Sequence, residues 1–260
     1  MAVLINLPYA LIIGTIKRLV TVGYLSAITG ASLVLFVLCI LTWVLTVAYD
    51  RRLVILHQLT SVWGCLFIWL MPTWSVRVSG RHHTIAGPCV IVANHQSLLD
   101  IPVAHHLFVP FKWVSKHALF RCPLIGWTMS LNRYIKLNRG DLPSVVRMLR
   151  QCKDSLASGS PVFLFPEGTR STDGCVGAFR SGAFKLAKSA GVPVLPIAIS
   201  GTAQALPRGR FKLGEASRMT IEVLPAIMPA EYADWDIDDL ATVARNRIVA
   251  ALNHSPSDEG

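Results

Sequence analysis

Charge is scarce in this chain. Of its 260 residues 15% are Asp, Glu, Lys or Arg and 52% are hydrophobic, where soluble domains carry roughly 25% charged residues. From Leu19 to Tyr49 there is no charge at all, and Leu53 to Val76 also lacks Lys, Arg, Asp and Glu. Part of the chain therefore belongs in lipid. The charge that exists is mostly basic, a net +10. No block of five or more Lys/Arg occurs and no nucleic-acid motif is found. A membrane surface and phosphorylated substrates fit that excess, and a nucleic-acid partner is not expected.

Other absences narrow the chemistry. The cysteines, at 39, 65, 89, 122, 152 and 175, form no C-x-x-C pair, so no zinc site is expected. Several lie in apolar runs and read as small buried hydrophobes, a usage that suits a reducing compartment. There is no G-x-S-x-G elbow for a hydrolase nucleophile, no phosphate-cradling P-loop and no G-x-G-x-x-G. No metal or cofactor is expected, and no internal repeat is seen.

The uncharged stretch is long enough to cross a bilayer core, which takes about 20 apolar residues. A transmembrane helix is expected over about 28–49, most apolar from Leu33 to Tyr49. A second helix, about 53–73 with Trp63 and Trp69, reads as interfacial, because tryptophan favours the membrane boundary. Met1 to Ile16 is apolar but interrupted by Pro8, and also reads as interfacial. Residues 1–74 thus form a membrane-associated helical region. From Ser75 the pattern turns into short β-type runs alternating with amphipathic helices, an α/β domain over 75–254 with a mixed, largely parallel sheet. The strand candidates are SVRVSG, CVIVA, FKWVS, YIKL, PVFLF, PVLPIAI and MTIEVLP. The helix candidates are Leu142 to Gly159, Ser181 to Gly191 and Asp234 to Asn253. Ser255 to Gly260 reads as a tail.

The chemistry concentrates in NHQSLLD, Asn94 to Asp100, directly after the buried-type strand CVIVA. A histidine and a carboxylate five positions apart are weak evidence alone. Downstream come SKHALFRCPLIGW (Ser115 to Trp127), YIKLNRG (Tyr134 to Gly140), FPEGTRS (Phe165 to Ser171) and VPVLPIAISG (Val192 to Gly201). These blocks in this order resemble the 1-acyl-glycerol-3-phosphate acyltransferases of the glycerophospholipid acyltransferase superfamily, over roughly Ser75 to Gly201. FPEGTRS is the most specific of them.

The resemblance implies a glycerolipid acyltransferase fold. It also implies acyl transfer from acyl-CoA or acyl-carrier protein to the sn-2 hydroxyl of lysophosphatidic acid, giving phosphatidic acid. His95 would be the general base and Asp100 would fix its tautomer. The substrate supplies the nucleophile, so no catalytic Ser or Cys is needed. Arg170, Arg139 and Lys116 would hold the phosphate. The family pattern has an acidic residue before the arginine at 139, where this chain has Asn138. Glu167 would bind a glycerol hydroxyl or hold Arg170, Pro166 and Gly168 would make a tight turn, and Gly168 and Thr169 would belong with Glu167 to the substrate-binding residues. Asn94 would orient the loop or donate to the oxyanion. Ser97 and Asp100 match a capping box, which makes Ser97 structural. PVLPIAISG reads as apolar wall near the acyl chain. Lys112, Lys136 and Arg180 read as ordinary surface or membrane-facing charges. Rival readings are another lyso-lipid acceptor, such as a lyso-ornithine lipid or lysophospholipid, and a non-catalytic lipid-binding membrane protein. The expected location is a membrane, inner or plasma membrane in a bacterium, with the catalytic part cytoplasmic.

Overall fold

The structure, a computed structural model, describes residues 3–171, 174–207 and 216–254, with side-chain surroundings given for all of these but 3–13 and 17. The tail expected over Ser255 to Gly260 lies outside the described residues.

Helix α1 (Val3–Thr46) is a single run of 44 residues. At 1.5 Å per residue it is about 66 Å long, roughly twice a bilayer's hydrocarbon thickness. The span expected from about residue 28 is only its second half, and the helix continues through Pro8, where a break was expected. Pro8 lies in the first two turns, so one missing hydrogen bond costs little of the helix. Tyr24, Ile28, Ser32, Leu35 and Cys39 are buried at spacings of three or four, one stripe of the helix. Leu33, Val34, Val37, Leu38, Leu41, Val44 and Leu45 stand exposed around the rest. An exposed apolar face of this extent marks a membrane or protein contact. Among the described residues, Gly14–Thr46 is the one helix long and apolar enough to cross a membrane.

Asp50 turns the chain. Its Oδ2 accepts the Ile55 N–H at 2.8 Å, satisfying a first-turn donor of α2 (Val54–Trp69). Two polar bonds fasten α2 to α1: Trp63 Nε1 donates to Ser32 Oγ at 3.0 Å, and Tyr24 Oη donates to Phe67 O at 2.8 Å. Ile68 and Met71 share one apolar core with Ile91 and Phe163. The helical region and the α/β part are thus joined by packing.

The remaining elements are β1 (Trp74–Ser79), β2 (Val90–Ala93), α3 (Asp100–His105), β3 (Lys112–Lys116), α4 (Ile125–Leu131), β4 (Ile135–Leu137), α5 (Leu142–Ala157), β5 (Val162–Leu164), α6 (Gly182–Ala190), β6 (Val194–Ser200), α7 (Thr202–Ala205), β7 (Ser217–Val223) and α8 (Ile237–His254). The strands form one mixed sheet in the order β1-β7-β6-β2-β5-β3-β4. All neighbours are parallel except β6 and β7. Every strand candidate read from the sequence is a strand here.

Side-chain alternation along β2 feeds both faces. Ile91 faces the core shared with α2 and α3, while Val90 and Val92 face the one built by α5, α6 and α8. Because β2, β3, β4, β5 and β6 run the same way, their carboxyl ends share one edge. Functional loops of α/β folds gather at that edge. β6 lies between β2 and β7, and Val194 to Ile199 are buried there. Pro196 is tolerated because the ladder to β7 begins only at Ile197.

Candidate active site

β2 ends at Ala93, and His95 stands in the loop that follows, ahead of α3. Its Nδ1 lies 2.7 Å from Asp100 Oδ2. That oxygen also accepts the backbone N–H groups of Gln96 at 2.7 Å and Ser97 at 2.9 Å. Oδ1 accepts the Thr202 hydroxyl at 2.5 Å. Asp100 is fully buried, and four donors converge on it. The proton between His95 and Asp100 therefore sits on Nδ1, and Nε2 is the basic atom. The imidazole stacks on Phe165 at a 4.0 Å centroid distance and 13° between planes. Its side chain remains 13% exposed, so a substrate proton can reach it. One half of the capping box holds and the other does not. The carboxylate takes the Ser97 N–H, but the Ser97 hydroxyl donates to Leu206 O at 2.9 Å.

Thr202 is a partner that the sequence reading missed. It opens α7, one residue beyond the VPVLPIAISG block. Gly201 makes its approach possible: φ is +78°, and a Cβ there would meet Arg218 O at 2.2 Å. The signal available was the threonine immediately after a strand-ending glycine. Phe165 was within a quoted block, but nothing in its identity announced a stacking role.

Glu167 acts as a clamp. Oε1 accepts the His95 N–H at 2.7 Å, and Oε2 accepts the Gly177 N–H at 2.9 Å. Ser171 N also donates to His95 O at 2.8 Å. The loop after β5 is thus bonded to the loop after β2 through these two links and through a longer one, from Gln96 Nε2 to Gly174 O at 3.4 Å. Among the described residues Glu167 makes no ion pair with Arg170. Asn94 is likewise engaged within the fold. It is buried, donates to Ile199 O at 2.8 Å and accepts Ile199 N–H at 2.9 Å. Its amide continues the β2–β6 ladder beyond the end of β2.

Thr169 is exposed and Arg170 half-buried in the turn after β5. Lys116 is exposed at the end of β3, and Arg139 is exposed just after β4. All lie on loops or strand ends at the carboxyl edge of the sheet. Partial desolvation, and then the charge of Arg180, hold the Arg139 guanidinium below its ordinary value.

Lys112 is not a surface residue. It is 6% exposed, and its Nζ donates to Arg52 O at 2.8 Å and Asn132 O at 2.9 Å. Burial, with a smaller push from Arg133, brings it down to about 8. It ties the α1–α2 turn to the end of α4.

Behind the dyad lies a cavity of about 370 Å³, within the range of small-ligand pockets. Leu98, Leu99, Ile101 and Pro102, which flank Asp100, form one wall. Tyr24, Ile28, Trp63 and Phe67 from α1 and α2 form another, and Trp113 and Met129 contribute from beneath. It is apolar apart from a few groups such as His105, Thr128 and Tyr134. His105 is pushed down to about 3 by burial and then by His106. Trp113 Nε1 donates to its Nε2 at 3.3 Å, so its Nδ1–H faces Ser61 Oγ at 3.1 Å. The PVLPIAISG run lines no part of this cavity, and its residues Val194 to Ile199 are buried in the sheet. Gly126 marks a close approach of two backbones: a Cβ there would lie 2.4 Å from Phe120 O.

Residues 75–200 match the family model described as Acyltransferase. The chain is 39% identical over 224 residues to a 1-acyl-sn-glycerol-3-phosphate acyltransferase of Chlamydomonas reinhardtii, covering 85% of this chain and 66% of that one. It is 34% identical over 226 residues to a chloroplastic 1-acyl-sn-glycerol-3-phosphate acyltransferase of Brassica napus, covering 86% and 64%. This chain therefore spans just under two thirds of the length of these relatives. The crystal structure of the 1-acyl-sn-glycerophosphate (LPA) acyltransferase of Thermotoga maritima superposes with a TM-score of 0.77 at 24% identity, over 94% of this chain and 99% of that one. That likeness is one of fold.

Proposed function

The chain belongs to the acyltransferase family, and from that premise we propose that it transfers an acyl group from acyl-CoA or acyl-carrier protein to the sn-2 hydroxyl of 1-acyl-glycerol-3-phosphate, giving phosphatidic acid. The observation that carries the reading is the His95–Asp100 pair, locked by four donors and set against an apolar cavity. His95 Nε2 takes the hydroxyl proton as the hydroxyl oxygen attacks the thioester carbonyl carbon. Asp100 stabilises the imidazolium that forms. The tetrahedral intermediate then collapses, the C–S bond breaks, and the thiolate leaves with the proton from His95. Arg170, Arg139 and Lys116 hold the acceptor phosphate. Glu167 and Asn94 keep the His95 loop in register, and the cavity shelters acyl chain from water.

The anchor is the second half of α1, with α2 beside it at the interface. The catalytic part then lies on the cytoplasmic side, because Arg51, Arg52 and most later basic residues follow the span. Reporter fusions after Gly80 and at the C-terminus should both read cytoplasmic. An external C-terminal reporter would reverse this orientation.

The test of the activity is transfer by the purified full chain, offered a panel of lyso-lipid acceptors and both donors. Lysophosphatidic acid should be the best acceptor, and His95→Ala should lower turnover by roughly 10²–10⁴-fold while the protein stays folded. Turnover near wild type in that variant sinks the mechanism. A better rate with a lysophospholipid or lyso-ornithine lipid reassigns the acceptor.

A further inference from the structure

Arg180 carries no role in the site as described so far, yet its side chain lies against the turn after β5. The segment leading to it folds back over the turn after β5. Gly177 N donates to Glu167 Oε2 at 2.9 Å, and Arg180 N donates to Pro166 O at 2.9 Å. The Arg180 side chain then crosses Gly168. A Cβ on Gly168 would lie 2.8 Å from Arg180 Nε and 3.1 Å from Cζ, and φ there is +73°. Glycine at this position therefore serves two ends. It permits the backbone turn, and it leaves open the space that the guanidinium occupies.

A second guanidinium shares this edge of the sheet. Arg139 comes from the end of β4, on the same edge of the sheet, and the Arg180 charge is felt at its head. Both arginines are solvent-accessible. Among the described residues no carboxylate lies within 4 Å of either one. Like charges gathered without a counter-charge repel. An anion between them turns that repulsion into attraction, and two planar forks suit a tetrahedral dianion.

We propose that Arg180, together with Arg139 and the bare Gly168 turn, forms a two-guanidinium seat for a substrate phosphate. The assignment rests on the acyltransferase reading and adds a binding residue to it. The phosphate belongs either to the glycerol acceptor or to the acyl donor, and the chemistry of the seat is the same for both.

The experiment uses the full chain in detergent and begins with inorganic phosphate. Phosphate should raise the thermal midpoint of the wild type. Arg180→Ala should weaken that binding by at least about tenfold, with Arg180→Lys in between because it lacks the fork. Gly168→Ala should weaken it too, since a methyl group displaces the Arg180 head without removing its charge. Should Arg180→Ala not fold, Arg180→Gln serves in its place. In steady state the same variant should raise one KM, with kcat changed by less than about threefold. A rise for lysophosphatidic acid puts the acceptor in the seat, and a rise for acyl-CoA puts the donor there. A wild type that binds no phosphate overturns the assignment. So does an Arg180→Ala variant that binds phosphate as the wild type does. A wild type that binds phosphate through Arg180 but acylates no lyso-lipid refutes the proposed activity and leaves the seat standing.

Discussion

Replacing Asp100 by asparagine separates two services that the carboxylate performs for His95. In serine-protease triads the same exchange costs about 10⁴-fold, because the new amide presents its NH2 to the histidine and forces the wrong tautomer. Here the surroundings oppose that orientation. The oxygen facing His95 also accepts two backbone N–H groups, from Gln96 and Ser97. An NH2 placed there would leave both buried donors unpaired, at about 1–3 kcal/mol each. The amide should instead keep its oxygen toward His95 and aim its NH2 at Thr202, whose hydroxyl can turn to accept it. His95 then keeps its proton on Nδ1, and only the negative charge is lost. A hydrogen bond to a charged group contributes about 1.5–3 kcal/mol, against about 0.5–1.5 for a neutral one. The difference, roughly 1–2 kcal/mol, predicts a fall in kcat of about 5–30-fold. Asp100→Ala should fall much further, toward His95→Ala, since it loses orientation as well. The assay is acyl transfer with saturating donor, with circular dichroism as the folding check. Asp100→Asn as inactive as His95→Ala refutes the argument that the backbone donors choose the amide orientation. Unaltered turnover refutes the role of the charge.

Glu167→Gln should unseat one of the two backbone donors it now holds, because an amide offers one oxygen where the carboxylate offered two. The expected loss is about 1–3 kcal/mol of stability, read as a lower thermal midpoint, with a fall in kcat larger than any rise in KM. Equal stability and kcat would mean that the clamp is dispensable. Lys112 should make stability depend on pH in a definite direction. Its pKa is about 8 in the fold against an ordinary 10.5, so the unfolded chain holds the proton more tightly between these values. The resulting penalty is fully present below pH 8 and fades as pH rises from 8 to 10.5. The stability of the wild type relative to Lys112→Met should therefore increase across that window, by on the order of 3 kcal/mol, and a flat difference would refute the burial argument. Arg170→Ala should raise KM for lysophosphatidic acid more than KM for the donor, with only partial rescue by Arg170→Lys. Unchanged acceptor KM in both Arg170→Ala and Arg139→Ala would move the phosphate site away from this edge.

Much of the α/β architecture was legible because its strands are continuous apolar or alternating runs. Continuous apolar runs such as CVIVA and PVLPIAI are typical of covered strands. What stayed hidden has a physical reason in each case. Helices α4 and α7 are 7 and 4 residues long, too short for an apolar period to register. Pro8 looked like a break, but a single proline removes one bond from a helix that has many others. Lys112 looked exposed because lysine usually is. Its burial depends on two carbonyls, Arg52 O and Asn132 O, brought together from 60 and 20 residues away.

The site divides along the same line. The residues of greatest chemical distinctness, His95, Asp100, Glu167 and Arg170, could be picked out by type and block. Their geometry could not, because each partner arrives from a different strand end. Thr202 reaches Asp100 across 102 positions, and Glu167 reaches His95 across 72. Parallel strands make this possible: five of the seven deliver their following loops to one edge. Residues distant in sequence then converge wherever adjacent loops meet. β2 and β5 are neighbours, as are β2 and β6, which is why the loops after β5 and β6 supply the clamp and the second carboxylate partner. Arg180 follows from the same rule applied once more. The stretch between β5 and α6 must pass back over its own turn to re-enter the helix layer, and that return carries a guanidinium across Gly168. A charge read as incidental in the sequence is thereby brought to the edge where the other loops converge.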